Sequence, residues 1–135
     1  MGKINWGRVF LCGILTGVVL YLLTAAVFVF ALPETELRRA VEAAGRPTFS
    51  PLHFILHVAI GIWAMWVYAA IRPRYGPGPK TAAVAGVALW VIAALVDAVW
   101  GSVGLIPLGA LPVPLAVTLP IGIVALMVGA WPYQE

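Results

Sequence analysis

Three stretches of the chain are apolar for longer than a water-soluble helix requires. Residues 9–32 carry no charge. Residues 51–71 hold His53 and His57 as their only ionisable side chains apart from Tyr68. From 81 to 134 the single charged residue is Asp97. A bilayer hydrocarbon core of about 30 Å takes about 20 helical residues. The last stretch is therefore long enough for two spans, and "GLIPLGALPVP", residues 104–114, divides them by its density of Gly and Pro. The predicted spans are 9–32, 51–72, 81–103 and 112–131. Unbroken apolar runs of this length differ from the short alternating segments of a membrane β-barrel. The expected fold is all-α: a polytopic membrane protein whose residues 1–135 form a single four-helix transmembrane domain.

Helix punctuation agrees with these limits. Ser50 is a good N-cap and Pro51 suits the first helical position. Thr81 is the expected cap of the third span, and Pro112 and Pro114 fall in the first turn of the fourth. The first run exceeds the apolar length of a signal peptide, so it is expected to persist as a span.

Composition points the same way. The chain is 63% hydrophobic and 10% charged, and its mean hydropathy is +1.04. A soluble domain is about 25% charged. The net charge of +3 therefore does not imply nucleic-acid binding; in a membrane protein the placement of Lys and Arg reports orientation. Lys3, Arg8, Arg72, Arg74 and Lys80 fall on one side. Arg38, Arg39 and Arg46 fall on the other, beside Glu34, Glu36 and Glu42. The positive-inside rule places both termini in the cytoplasm of a multi-pass cell-membrane protein. Cys12 is the only cysteine, which excludes an internal disulfide and a CxxC redox pair.

The connectors differ in character. Residues 33–47, "PETELRRAVEAAGRP", place Leu37, Ala40, Val41 and Ala44 on one helical face. Glu34–Arg38, Arg38–Glu42 and Glu42–Arg46 are spaced as i,i+4 pairs. This predicts a short amphipathic helix on the outer membrane surface, stopped at Gly45. Residues 72–80, "RPRYGPGPK", read as a tight turn in which Arg72, Arg74 and Lys80 meet anionic lipid headgroups. That turn lacks the G-x-x-x-x-G-K-[ST] pattern of a phosphate loop.

A polar group inside a span is a functional candidate by default. At ~1.5 Å per helical residue, His57, Asp97 and Thr118 each lie about 9 Å from the outer end of their spans, and Thr24 about 12 Å. These four are expected to share one outer-leaflet layer. Asp97 is flanked at helical spacing by Ala93, Ala94 and Gly101, which permit close helix approach. It is expected to face the bundle and to hydrogen-bond His57. His53, the third residue of its helix, is expected at the interface. A metal site at "HFILH" would need a third ligand, and the Glu of H-E-x-x-H is missing. A haem held by two histidines needs them on two helices, and here both share one. A proton-coupled transport site needs water to reach the Asp/His pair. The remaining reading is a polar cluster that fixes helix packing. "GILTG", residues 13–17, has the GxxxG spacing that lets helices meet closely, within the chain or between copies through Gly13 and Gly17.

With "INW" at residues 4–6 and the loop "AIRPRYGPGPK" at 70–80, the chain resembles uncharacterised small bacterial four-helix membrane proteins. That resemblance implies the topology and no site residues. The expected function is that of a non-enzymatic structural or accessory subunit in contact with the lipid bilayer and with other membrane subunits. No cofactor, metal or nucleic-acid partner is expected. The alternatives are a small proton-linked transporter or channel using the Asp/His pair, and a metal- or haem-linked membrane protein.

Overall fold

The computed structural model describes residues 4–31, 39, 42–45 and 49–133. Among these are four long helices and no strand. Helix α1 spans Trp6–Ala26 and runs into a π-helical turn, Val27–Ala31. Helix α2 spans Pro51–Tyr75, α3 spans Pro79–Ser102 and α4 spans Pro112–Ala130, with a short 3-10 turn, Leu108–Ala110, before α4. All four helices are long and apolar enough to cross a membrane. This is the all-α four-helix bundle that the apolar runs predict, and it fits a small integral membrane protein with several passes. Its outward side chains are apolar, among them Leu11, Leu22, Ile55, Trp63, Ile92 and Leu95, as contact with a lipid bilayer requires.

The helix ends follow local chemistry. α1 starts at Trp6 rather than at the predicted residue 9, because the Asn5 side chain accepts from the Arg8 N–H at 3.1 Å and caps the helix. Arg8 is exposed and so does not end the helix. α2 starts as predicted. Ser50 Oγ accepts from the His53 N–H at 3.2 Å and Pro51 takes the first position. It continues past residue 72, through Pro73, to Tyr75. The Gly76 N–H then closes on the Arg72 carbonyl at 2.8 Å, with a φ of 83° that favours glycine.

The expected cap of α3 is corrected. Gly78 occupies the cap position, Pro79 is the first helical residue, and Thr81 lies inside the helix. The Thr81 hydroxyl donates instead to the Gly76 carbonyl at 2.6 Å, bracing the turn.

The helices are antiparallel neighbours in chain order. α1 packs most extensively on α2 and also on α4, α3 packs on α4, and α2 and α3 meet less. The α1–α2 contact is made by glycines. A Cβ on Gly61 would overlap the backbones of Gly13 and Gly17, and one on Gly13 would overlap the Ile62 backbone. Gly129 brings α4 onto Cys12 and Thr16 of α1 in the same way. The GxxxG spacing thus serves contact within the chain.

The core lies in one half of the bundle. Val9, Cys12 and Thr16 on α1, Met65 and Tyr68 on α2, Ala82 and Ala85 on α3, and Leu126 on α4 are all buried. Each lies in the half of its helix nearest the α2–α3 turn. Toward the other end burial thins out: Gly17 and Gly61 lie buried near mid-span, and beyond them Gly101 and Ala110, where Leu108 and Leu111 cover α3.

The predicted amphipathic segment 33–47 lies outside the described residues except at 39 and 42–44, with its expected stop at Gly45. There the Gly45 N–H bonds the Glu42 carbonyl at 3.0 Å, and Gly45 has a φ of 65°.

Candidate functional site

Two groups of polar side chains stand in the outer part of the spans, one in each helical hairpin, while the Thr16 hydroxyl donates to the Cys12 carbonyl within α1 at 2.9 Å. In the α1–α2 hairpin, His53 and His57 stand one helical turn apart with ring centroids 4.4 Å from each other. His57 Nδ1 lies 2.9 Å from the His53 carbonyl oxygen. A carbonyl only accepts, so Nδ1 is the donor in this contact. Tyr21 of α1 reaches across to both imidazoles, at 5.9 Å from His53 and 5.6 Å from His57, and meets Phe54 edge-on at 5.2 Å. Phe49 closes the group against Tyr21 and His53, each at 6.0 Å. Edge-to-face rings at these distances attract through their quadrupoles. The histidines are thus held in an aromatic box.

In the α3–α4 hairpin, the indole Nε1 of Trp90 donates to the Leu115 carbonyl at 3.1 Å and lies 3.3 Å from Thr118 Oγ1. Thr118 also donates to the Leu115 carbonyl, at 3.3 Å. Asp97 is half-buried. Helical spacing puts it on the same face as Trp90 and Gly101, both of which meet α4 or the turn before it.

The expected layer of His57, Asp97, Thr118 and Thr24 does not form one cluster. Among the described residues no hydrogen bond or ion pair joins His57 to Asp97. Thr24 is half-buried on α1. Among the described residues, two spaces between the hairpins bear on this layer. One is a cavity of about 150 Å³ lined by Thr16, Leu20, Ile60, Leu89, Trp90 and Thr118 among others; His57, Asp97 and Thr24 are not in its wall. The other is a groove of about 580 Å³ between α2 and α3, lined by Leu56, Ala59, Ile60, Trp63, Leu89, Ile92 and Ala93. Its wall is almost entirely apolar, and it lies between the helix carrying His57 and the helix carrying Asp97. The physical reason is the position of the close contacts. α2 and α3 meet less than the other neighbouring helices; α2 closes through Gly61 on α1 and α3 leans on α4. His53 lies in the aromatic box, half-buried.

The opposite end of the bundle is basic. Arg8, Arg72, Arg74 and Lys80 gather there, and the described residues of that end include no acid. Arg8 Nη1 donates to the Pro132 carbonyl at 3.1 Å, tying the start of α1 to the segment after α4. The Arg72 guanidinium carbon lies 5.4 Å from the centre of the Tyr133 ring, within cation–π range. Arg74 and Lys80 are exposed.

Three of these features are not announced by the sequence pattern. Trp90 is an aromatic residue with an N–H that needs an acceptor inside a span, and its indole is the one signal available there. Tyr21 carries a polar tip on an apolar body and pairs with rings contributed from elsewhere in the chain. Tyr68 and Tyr133 meet edge-on at 5.8 Å across the basic end. Among the described residues, no three of His, Cys, Asp and Glu gather within reach of one metal ion. Comparison with family models, with curated proteins and with solved structures finds no match to this chain.

Proposed function

We propose that the chain is a non-enzymatic structural or accessory subunit of a membrane assembly, with both termini in the cytoplasm. The observation that carries this reading is the division of the intramembrane polar groups. His57 is bonded and boxed within the α1–α2 hairpin, Thr118 is bonded to Trp90 within the α3–α4 hairpin, and an apolar groove lies between α2 and α3. Proton transfer across a membrane needs a connected, water-accessible series of ionisable groups, whereas polar groups paired locally hold helices in register. The orientation is supported by the cations collected at the α2–α3 turn, on the same side as the start of α1.

The test compares wild type with Asp97→Asn. Both proteins should give no proton flux in proteoliposomes, and both should co-purify the same stoichiometric membrane partner from native membranes. A proton flux in wild type that Asp97→Asn abolishes, with the helical circular-dichroism signal unchanged, would replace this reading by that of a proton-linked transporter.

A further inference from the structure

The basic end holds a cavity of about 370 Å³ whose wall includes Tyr68, Arg72, Gly78, Pro79, Trp131 and Tyr133. We propose that this cavity binds the phosphodiester of an anionic lipid headgroup.

The donors come from a built site. Tyr68 is 1% exposed, and its hydroxyl oxygen accepts from the Gly78 N–H at 3.2 Å. A phenol that accepts one bond still has its own O–H to donate. Among the described residues no acceptor for that proton is found, and the side chain lines the cavity. Arg72 brings a guanidinium to the same wall, set against the Tyr133 ring at 5.4 Å. A guanidinium carries five N–H donors in a planar fork that matches phosphate oxygens. A neutral O–H and a fixed cation converging on one space suit a phosphate anion.

The location selects a lipid over a soluble phosphate. The cavity lies at the ends of membrane-spanning helices. Its wall includes Trp131, which is 91% exposed and sits where an interfacial aromatic would stand. Met127 and Ala130 extend the wall along α4 and offer an apolar path for the glycerol and upper acyl chain. Arg74 and Lys80 are exposed at the same end and supply a general attraction to anionic membranes; the cavity adds a defined place for one headgroup.

The test is native mass spectrometry of the detergent-solubilised chain with phosphatidylglycerol, phosphatidylcholine or soluble glycerol phosphate added. Wild type should retain phosphatidylglycerol over phosphatidylcholine by about tenfold, the size of one charge-assisted hydrogen bond. Tyr68→Phe and Arg72→Gln should each remove most of that preference, while Arg74→Gln keeps it. Equal losses in Arg72→Gln and Arg74→Gln would reduce the site to diffuse surface charge and overturn the proposal. So would glycerol phosphate binding as tightly as the lipid. If the two cavity variants fail to fold, wild type decides alone. Phosphatidylglycerol with a photoreactive headgroup should label the chain at 127–133 or 68–79. Labels spread evenly onto Arg8 and its neighbours would contradict a defined cavity.

Discussion

The two halves of this bundle are built differently from the same apolar alphabet. Near the α2–α3 turn, glycine and alanine bring backbones together, and Met65, Tyr68 and Leu126 fill the space between four helices. Toward the α1–α2 connector, α2 and α3 meet less, large side chains such as Ile55, Leu56, Ile92 and Leu95 are exposed, and beyond the close approach of Gly17 to His57 and Val58 contact is made by aromatic and hydrogen-bonded pairs within each hairpin. Lipid is as apolar as leucine, so hydrophobicity alone does not draw helices together inside a membrane. Small residues decide where they close. Where α3 offers Ala82, Ala85 and Gly86 it is buried; where it offers Val91, Ile92, Leu95 and Val99 it is not.

The largest effect should come from closing the gap on which the packed half depends. Gly61→Leu pushes a side chain into the backbones of Gly13 and Gly17. It should cost about 3 kcal/mol of stability in micelles, as severe overpacking does. Leu126→Ala leaves a void at a position 1% exposed and should cost about 2 kcal/mol, measured the same way. A smaller change is expected in the open half. Trp90→Phe removes the donor to the Leu115 carbonyl and should cost about 0.6–1 kcal/mol, the range for interhelical hydrogen bonds in membranes. The smallest should be Ile92→Ala, at a position 60% exposed, with a change within about 0.5 kcal/mol. A ranking in which Ile92→Ala costs as much as Leu126→Ala would erase the difference between the halves.

The spans were legible because an uncharged run of this length suits a bilayer and little else, and Ser50–Pro51 marks a helix start in a way that carries into three dimensions. The uncharged run begins only after Arg8, so its limit at residue 9 falls short of the true helix start, which the Asn5 side chain sets at Trp6. At the α2–α3 turn Thr81 looked like a cap, and Gly78–Pro79 took the role because proline is preformed for the first helical position. The candidate site was less legible. Depth along a helix is countable from the sequence, and it put His57 and Asp97 at one level. Azimuth and separation are not countable in the same way. They depend on which faces close, and the glycines of α1 turn toward α2, while α3 leans on α4 at Ile123 and Leu115. Equal depth therefore did not become contact. The aromatic box around His53 needed Phe49 from the connector side as well as Tyr21 from α1, a pairing with no spacing in the sequence to announce it.

The separation of the two hairpins in the open half is tested most directly by a double-mutant cycle between His57→Leu and Asp97→Leu, read as unfolding free energy in micelles. Independent positions should give additive effects within about 0.5 kcal/mol. A coupling of more than about 1 kcal/mol, of the kind that directly bonded residues show, would mean that the histidine and the aspartate meet after all, and would contradict the division of polar groups between the hairpins.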